Sequence, residues 1–378
     1  MTRTKCLGAI ALLAIGSCTL DLSLKHRCET SADCASDRVC IRNVCEAAVP
    51  GPNYMFVTSQ KFPPRFKPLD DADRKCNDAA TAGGLPGRFH AWLSTAEVFA
   101  RDRLTGARGW VRQDGSPFAD TVDDLVAGRI FNPPLLDEFG HEVRSGDTDF
   151  VATGTDAMGF NSPGNTCNEW ANDQAVSFLY GTTEGTTAAW TAFGTNNCGA
   201  PTRIYCFGVD QNFPVAPAET PGKRAFVLDG TFVPVGGRDA ADMACSKEAT
   251  AAGLTGEFWA LLPKGDEWAA FRFPDPEARW VRLDGVPINA VGSDPLAGDA
   301  LASPLNVTSK KRYLGGQDQF VFTGATSPLD FSTDSCKDWT DASINAEVGL
   351  LGVANSAWFA YNVGSCASPP THVYCLER

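Results

Sequence analysis

The residues best suited to covalent chemistry in this 378-residue chain are its cysteines, and most of the 14 fall into two matching sets. Cys76 and Cys206 are 130 positions apart, and so are Cys245 and Cys375. The interval from the first cysteine to the second is also the same in both sets. Two intervals kept through a copy predict a duplicated module with a disulfide frame. The sets are Cys76, Cys167, Cys198, Cys206 and Cys245, Cys336, Cys366, Cys375.

A further cysteine cluster precedes these sets, within residues 28–45. Its density predicts a small knot closed by two disulfides, as in proteins of oxidising compartments. Zinc is the alternative, but the spacing lacks the Cys-x2-Cys pairs of common zinc sites, and His26 is the only histidine nearby. Disulfides are therefore favoured, with three possible pairings left open. The cluster consists of Cys28, Cys34, Cys40 and Cys45.

Groups for acid–base chemistry are sparse. His90 aligns with Trp259 in the second copy, so the module does not require an imidazole at that position. The chain contains no Gly-x-Ser-x-Gly, His-Glu-x-x-His or Walker motif. We therefore expect no catalytic residues, no metal and no cofactor, and predict that the chain is not an enzyme. The four histidines are His26, His90, His141 and His372.

Three acidic residues lie closely enough together to suggest calcium. Asp70, Asp71 and Asp73 stand at the start of a predicted helix, where carboxylates also stabilise free N–H groups and interact with the helix dipole. Capping is the simpler interpretation, and calcium binding is the alternative.

The first residues have the pattern of an export signal. Arg3 and Lys5 precede an apolar run at residues 7–15, which is shorter than the about 20 residues of a membrane-spanning helix. Residues 15–18 read Ile-Gly-Ser-Cys, which resembles the lipobox of bacterial lipoproteins. The resemblance implies cleavage before Cys18, lipidation of that cysteine, and anchoring in a bacterial cell envelope, at the outer membrane or cell surface. Ordinary secretion is the alternative.

The charge balance excludes one class of partner. The formal net charge is −13 at pH 7, and the sequence pI is about 4.8. An acidic surface repels nucleic acid, so we expect no nucleic-acid partner. No later apolar stretch approaches the length of a membrane span, so the sequence predicts a protein anchored to a membrane by lipid.

The predicted fold class is α+β, with few helices and short mixed strands. Pro-containing segments separate the units, and each large module has the size of a single domain. The predicted units are a signal peptide at 1–17, a tether at 18–27, a Cys-rich disulfide knot at 28–46, a first domain at 54–210, a linker at 211–223 and a second domain at 224–378.

Local patterns predict the elements that position the cysteines. Apolar and small residues recur at helical spacing in 70–82 and 239–252, and each stretch runs up to glycine. Alternation predicts a strand at 88–93, and Ser94 with Glu97 resembles a capping box that opens a second helix through residue 103. Further strands are predicted at 110–112, 280–282, 150–152 and 204–207, the first two ending in Asp-Gly turns.

The cysteines and helices together resemble the opening and the end of endostatin, the C-terminal domain of certain collagens. The opening is Ala72-Asp73-x-x-Cys76 followed by the Gly, Leu, Phe and Ala positions of 83–93, and the second copy starts at Ala241-Asp242-x-x-Cys245. The end is a Cys-x-x-Trp, a third cysteine and a closing Tyr-Cys. Bacterial lipoproteins with endostatin-like domains, mostly of uncharacterised function, look similar.

This resemblance implies a C-type-lectin-like fold in each of two tandem domains. It also implies nested disulfides, which join Cys76–Cys206 around Cys167–Cys198, and Cys245–Cys375 around Cys336–Cys366. The heparin-binding arginines and zinc-binding histidines of endostatin have no counterparts here, and the calcium and sugar motifs of true C-type lectins are absent. None of these activities is therefore expected.

The sequence predicts a lipid-anchored, non-enzymatic envelope protein that binds glycan, matrix or protein partners through lectin-like loops. The best candidates for the recognition surface are residues 182–197 and 355–365, because binding usually resides in loops on a rigid scaffold. A structural or accessory envelope protein without a soluble ligand is the first alternative, and a hydrolase with paired carboxylates is the second. Trp110, Trp170, Trp280 and Trp339 recur in both copies and are expected in the core.

Overall fold

A computed structural model gives the fold. It describes residues 27–28, 33–34, 38–41, 44–47, 51–144, 150–171, 177–275, 278–298, 300–316, 319–331, 334–367 and 371–378. The predicted signal peptide, Cys18, His26 and the side chain of Cys40 lie outside this part of the chain. Within it, no helix combines the length and the apolar character needed to cross a membrane.

The described chain is an α+β protein, mostly sheet with few helices. At the N-terminal end, β1 (Arg38–Ile41) and β2 (Val44–Ala47) form an antiparallel hairpin. A disulfide joins Cys34 to Cys45, and Cys28 is disulfide-bonded too. Because disulfide sulfurs have no free thiolate, these cysteines do not form a zinc site, although their sulfurs lie within 4.8 Å of one another.

Residues 53–208, the first half, form one sheet around a central strand. β10 pairs with β3 and β4 in antiparallel fashion and with β7 in parallel, and β3 also pairs with β5. The elements are β3 (Asn53–Val57), α1 (Leu69–Gly83), β4 (Phe89–Ala91), β5 (Trp110–Val111), β6 (Pro117–Ala119), α2 (Val122–Val126), β7 (Val151–Ala152), β8 (Phe178–Gly181), β9 (Gly194–Asn196) and β10 (Arg203–Gly208).

Residues 223–377, the second half, repeat this order but divide the sheet in two. The counterpart of β10 is split into β17 and β18, so the strands form two four-stranded sheets. The elements are β11 (Lys223–Val227), α3 (Gly237–Ala251), β12 (Phe258–Ala260), β13 (Trp280–Arg282), β14 (Phe320–Phe322), β15 (Asn345–Leu350), β16 (Asn362–Ser365), β17 (Thr371–His372) and β18 (Tyr374–Glu377).

Helix α1 confirms the stretch predicted at 70–82. Ala72, Cys76 and Ala80 form one buried stripe at a spacing of four, because that spacing returns to the same face of a helix. Gly84 ends the helix in the left-handed region at φ 71°, where glycine has no Cβ to clash. Helix α3 likewise corresponds to the prediction at 239–252.

The second predicted helix, from Ser94 to residue 103, is wrong. Only a single 3-10 turn, Asp102–Leu104, forms there. The Ser94 hydroxyl is buried and accepts a hydrogen bond from the N–H of Ala100 at 2.9 Å, and the hydroxyl of Thr155 donates to it at 2.8 Å. The Ser94 hydroxyl is therefore engaged by Ala100 and by the distant Thr155, and it does not form the local capping box that the sequence suggests.

Two disulfides staple each half. Cys76–Cys206 ties α1 to β10, and Cys245–Cys375 ties α3 to β18. Cys167–Cys198 and Cys336–Cys366 close shorter loops. These are the nested pairs that the endostatin resemblance implies. Each outer bridge holds the first helix of a half against its last strand.

The two halves are joined through their main chains. The N–H of Thr186 donates to the carbonyl oxygen of Gly352 at 2.7 Å, and the N–H of Ala354 donates to that of Glu184 at 2.9 Å. The side chain of Arg282, fully buried, reaches from the second half to the carbonyl oxygen of Phe131 at 2.8 Å. The halves therefore share an interface with satisfied polar groups.

Candidate binding cleft

The loops predicted as recognition surfaces are only partly exposed. Residues 182–187 and 189–191 are buried. Glu184 and Thr186 bond to the second half, whereas Trp190 packs in the core of the first half. In 355–365, Trp358 and Phe359 are buried, whereas Tyr361 and Val363 are exposed. The prediction of a recognition surface at 182–197 is therefore wrong for residues 182–191.

An open cavity of about 430 Å³ lies elsewhere in the first half. We call it the cleft. It lies between the start of α1, the loop 95–98, and a turn that follows Thr166. Its walls mix apolar and charged side chains, and they are formed by Lys67, Pro68, Leu69, Asp70, Thr95, Ala96, Glu97, Val98, Arg103 and Glu169.

One wall of the cleft is a left-handed turn built without glycine. All four residues of Cys167–Trp170 have φ between 49° and 58°. This conformation costs roughly 1–2 kcal/mol per non-glycine residue, so tertiary contacts must hold it. The Cys167–Cys198 disulfide fixes one end, and the indole of Trp170 donates to the carbonyl oxygen of Ser94 at 2.8 Å at the other.

The left-handed turn presents Glu169 to the loop across the cleft. Its carboxylate accepts the N–H of Ala96 at 2.7 Å and the hydroxyl of Thr166 at 3.0 Å. The second half repeats this arrangement, since Asp338 of the left-handed turn Cys336–Trp339 accepts the N–H of Gly265 at 2.9 Å. The carboxylate therefore positions the loop in both halves.

Arg103 lines the cleft and is held by an ion pair. Its side chain is only 8% exposed, and its Nη2 lies 2.5 and 2.6 Å from the two carboxylate oxygens of Asp73. Asp73 also accepts the N–H of Ala91 at 2.8 Å. The Nη1 of Arg103 is buried and has no hydrogen-bond partner among the described residues. Because this atom is shielded from solvent, it is an unsatisfied group of the interior, which costs free energy.

The second half places different side chains at the corresponding positions. Arg238 stands where α1 has Leu69, and Glu267 stands where the loop has Val98. The two side chains form an ion pair at 2.7 Å, in which Arg238 is 10% exposed. The Nη1 of Arg272, the counterpart of Arg103, is satisfied because it donates to the carbonyl oxygen of Ala260 at 2.6 Å.

The acidic group at the start of α1 does not form a calcium site. Asp73 is held by Arg103, and Asp71 is hydrogen-bonded to Lys75 at 2.8 Å. The hydrogen bond from Lys75, together with the nearby charges, lowers the pKa of Asp71. Two of the three carboxylates are therefore neutralised by side-chain cations. Within the described segments, the only group of potential metal ligands is the disulfide-bonded cysteine cluster.

The three histidines that the structure describes lie apart from one another. His90 contacts the carbonyl oxygen of Arg103 at 3.0 Å, and His372 is buried against that of Leu228 at 2.8 Å. His141 is exposed beside Asp137, at 3.6 Å. Each imidazole therefore has a separate and local environment.

Aromatic residues separate into a core and a repeated surface pair. Trp110, Trp170, Trp280 and Trp339 are buried, which confirms the prediction. At the surface, Phe99 packs edge-on against Phe160 at 5.2 Å, and their counterparts Trp268 and Phe331 lie 5.7 Å apart. Phe160, Trp268 and Phe331 are partly exposed. No sequence pattern predicts this pair, because its two members are about 60 positions apart.

In comparisons with known proteins, neither the family models nor the curated sequences match this chain.

Proposed function

We propose that this chain is an exported, lipid-anchored protein of a bacterial cell envelope that binds a macromolecular partner, such as glycan, matrix or protein, without catalysing a reaction. Disulfides persist in oxidising compartments, and the bonded cysteines support a location outside the cytoplasm. Cys18 would carry the lipid anchor. The acidic charge argues against nucleic acid as the partner.

The finer fold assignment, two tandem endostatin-like domains with a C-type-lectin-like fold, belongs to the same proposal. It is supported by the element order that recurs in both halves and by the nested disulfides. In each half, the first and last strands also pair in antiparallel fashion. Such a frame brings the two ends of a domain together and leaves loops to carry recognition.

The cleft is the observation that carries the binding function. Ligand sites are typically concave, of several hundred Å³, and lined by apolar surface with a few placed polar groups. The cleft has this character, with Leu69 and Val98 beside Asp70, Glu97 and Arg103. Its walls rest on a stapled helix and on a turn fixed by a disulfide. A protein that is only structural would not need an open cavity on a rigid frame.

The carboxylates of the cleft are what the hydrolase alternative would use. Glu169 is occupied as an acceptor for Ala96 and Thr166, and Asp338 repeats that role in the second half. The remaining two, Asp70 and Glu97, are exposed. Paired catalytic carboxylates usually lie within an enclosed site that holds the substrate, whereas these two side chains are at the surface. Binding is therefore the better supported function.

The test is a binding screen with a matched cleft variant. The full mature chain, purified in detergent, is applied to arrays of glycans and of envelope and matrix proteins. The control is the double variant Leu69→Arg/Val98→Glu, which copies the ion pair of the second half. We expect a partner that binds the native chain and loses most of its binding to the variant. A folded native chain that binds nothing above background would contradict the proposal.

The anchor is tested separately. Cells grown with labelled palmitate should incorporate label into the native chain and not into Cys18→Ala. Equal labelling of both would show that Cys18 is not the lipidated residue.

A further inference from the structure

The second half carries an arginine of its own at the position that lines the cleft in the first half. Two hydrogen bonds establish the correspondence: Ala96 to Glu169 in the first half matches Gly265 to Asp338 in the second. The loop contacts also match, since the N–H of Thr95 donates to the carbonyl oxygen of Val98 as that of Lys264 does to Glu267. Arg238 and Glu267 therefore form their ion pair at the positions of Leu69 and Val98.

We propose that the cleft binds an arginine side chain of a partner protein, in the position that Arg238 takes from within the second half. The inference rests on the proposed binding function and names the partner's chemistry. An arginine side chain combines a long apolar stem with a charged head. The cleft offers apolar side chains to the stem and carboxylates to the head.

The apolar wall suits the stem. Leu69 and Val98 line the cleft where the second half has its ion pair, and Pro68 extends the same surface. Methylene groups that pack on these side chains are removed from water, which favours binding. An isolated ammonium or guanidinium without a stem would leave this wall uncovered.

The carboxylates suit the charged head. Asp70 and Glu97 are exposed at the cleft, and Glu169 lies behind them, whereas the cations present are Lys67 and Arg103. Because Arg103 is already paired with Asp73, the free charge in the cleft is negative. The net charge of −13 attracts a basic partner from a distance as well.

The two halves therefore differ at one matching place. The first half has a cleft lined by Leu69 and Val98, and the second half has its own arginine, Arg238, paired with Glu267.

The probe is Nα-acetyl-arginine amide, observed by saturation-transfer NMR with the full mature chain in detergent, because this method detects millimolar affinities. Nα-acetyl-citrulline amide has the same shape without the charge and serves as the matched control. We expect the arginine amide to bind about tenfold more tightly, and to weaken as salt is raised. Equal binding of the two compounds, or no binding of the arginine amide, would overturn the inference.

Two sets of substitutions locate the site. Leu69→Arg/Val98→Glu closes the cleft with the ion pair that the second half already tolerates, and it should abolish binding. Adding Arg238→Leu/Glu267→Val to that protein should restore binding, because Asp239 and Asp266 provide the corresponding carboxylates. Binding that persists in the first variant, or fails to return in the folded quadruple variant, would contradict the inference.

A conservative variant covers the case in which the double variant does not fold. Glu97→Gln keeps the size of an exposed side chain and should weaken the arginine amide about threefold, since an exposed charge pair contributes modestly. Unchanged affinity in Glu97→Gln and Asp70→Asn together would overturn the inference. If glycans bind on the array and depend on the cleft while the arginine amide does not, the inference fails and the proposed binding function stands.

Discussion

The two halves of this protein share the same arrangement of helix, strands and disulfides, but they differ at one matching pair of positions, which is apolar in the first half and charged in the second. In the first half, Leu69 and Val98 leave a cleft between α1 and the loop that follows β4. In the second half, Arg238 and Glu267 join across the same positions. The helix, the disulfides and the left-handed turn are retained in both. A duplicated scaffold can therefore keep its supports while the side chains at one place change.

The halves also differ in the side chains that meet at the end of the first strand. In both, the main-chain N–H there donates to a glutamate: Ser59 to Glu138 at 2.8 Å and Asp229 to Glu248 at 2.7 Å. In the second half, the carboxylate of Asp229 is also paired with Lys310 and Arg312 at 2.9 and 2.8 Å. The loop supplies the acid in one half and the bases in the other.

Loss of an outer disulfide should have the largest effect. In the chain-entropy model, opening a loop of 130 residues lowers the free energy of unfolding by about 5 kcal/mol, and opening the inner loop by about 4. Cys76→Ala/Cys206→Ala and Cys245→Ala/Cys375→Ala should therefore destabilise equally, as measured by denaturant unfolding. A clear difference between these two variants would show that the frames are not equivalent.

Arg282 and Arg112 should behave differently although they share a motif. Arg282→Ala leaves Asp284, 10% exposed, without its cation and removes the bond to Phe131, so we expect a loss of about 3 kcal/mol. Arg112→Ala leaves Asp114, which is 41% exposed, and should cost about 1 kcal/mol. Thermal unfolding of both variants measures the contrast. Equal losses of stability would show that the hydrogen bond from Arg282 to Phe131 does not stabilise the contact between the halves.

Acid should weaken the second half through Asp229. Burial opposes ionisation, but hydrogen bonds from Arg312 and Lys310 outweigh it and lower the pKa of Asp229 to about 2. A lowered pKa in the folded state gives stability that is present above the unfolded value near 4 and is lost as the pH falls towards 2.

Asp229→Asn should therefore lose about 1 kcal/mol at pH 7, because both basic partners are exposed to water. The loss should shrink at pH 2–3, where the native carboxylate becomes protonated. Unfolding titrations at several pH values test this expectation, and a difference that does not depend on pH would contradict it.

The smallest expected effect concerns the left-handed turns. Lys337 at φ 51° is strained, whereas Asn168 at φ 52° belongs to a residue type that tolerates this region. Both are exposed. Lys337→Gly should stabilise the protein by about 0.5 kcal/mol after the entropy cost of glycine, and Asn168→Gly should be nearly neutral. A greater gain at Asn168 would reverse this comparison.

Sequence patterns predicted the elements that depend on near neighbours. Helices α1 and α3 follow from apolar residues repeated every four positions, and the core tryptophans follow from their recurrence in both copies. The predicted helix after Ser94 failed because Thr155 and Glu169 bind its first residues from far along the chain. The burial of residues 182–191 could not be predicted for the same reason, since Thr186 bonds to Gly352 in the second half and Trp190 packs on Trp92, about 100 positions earlier.

The sequence by itself determined that the chain is duplicated, rich in cysteine pairs and acidic, because spacing and charge can be counted along one dimension. Only the tertiary structure decided where the cleft of the first half lies and which surface the halves bury. Three segments that are distant in sequence form the cleft. Leu69 and Val98 are replaced by Arg238 and Glu267 in the second half, and that replacement matters because the two side chains contact each other. Such contacts depend on long-range packing, which local sequence patterns do not encode.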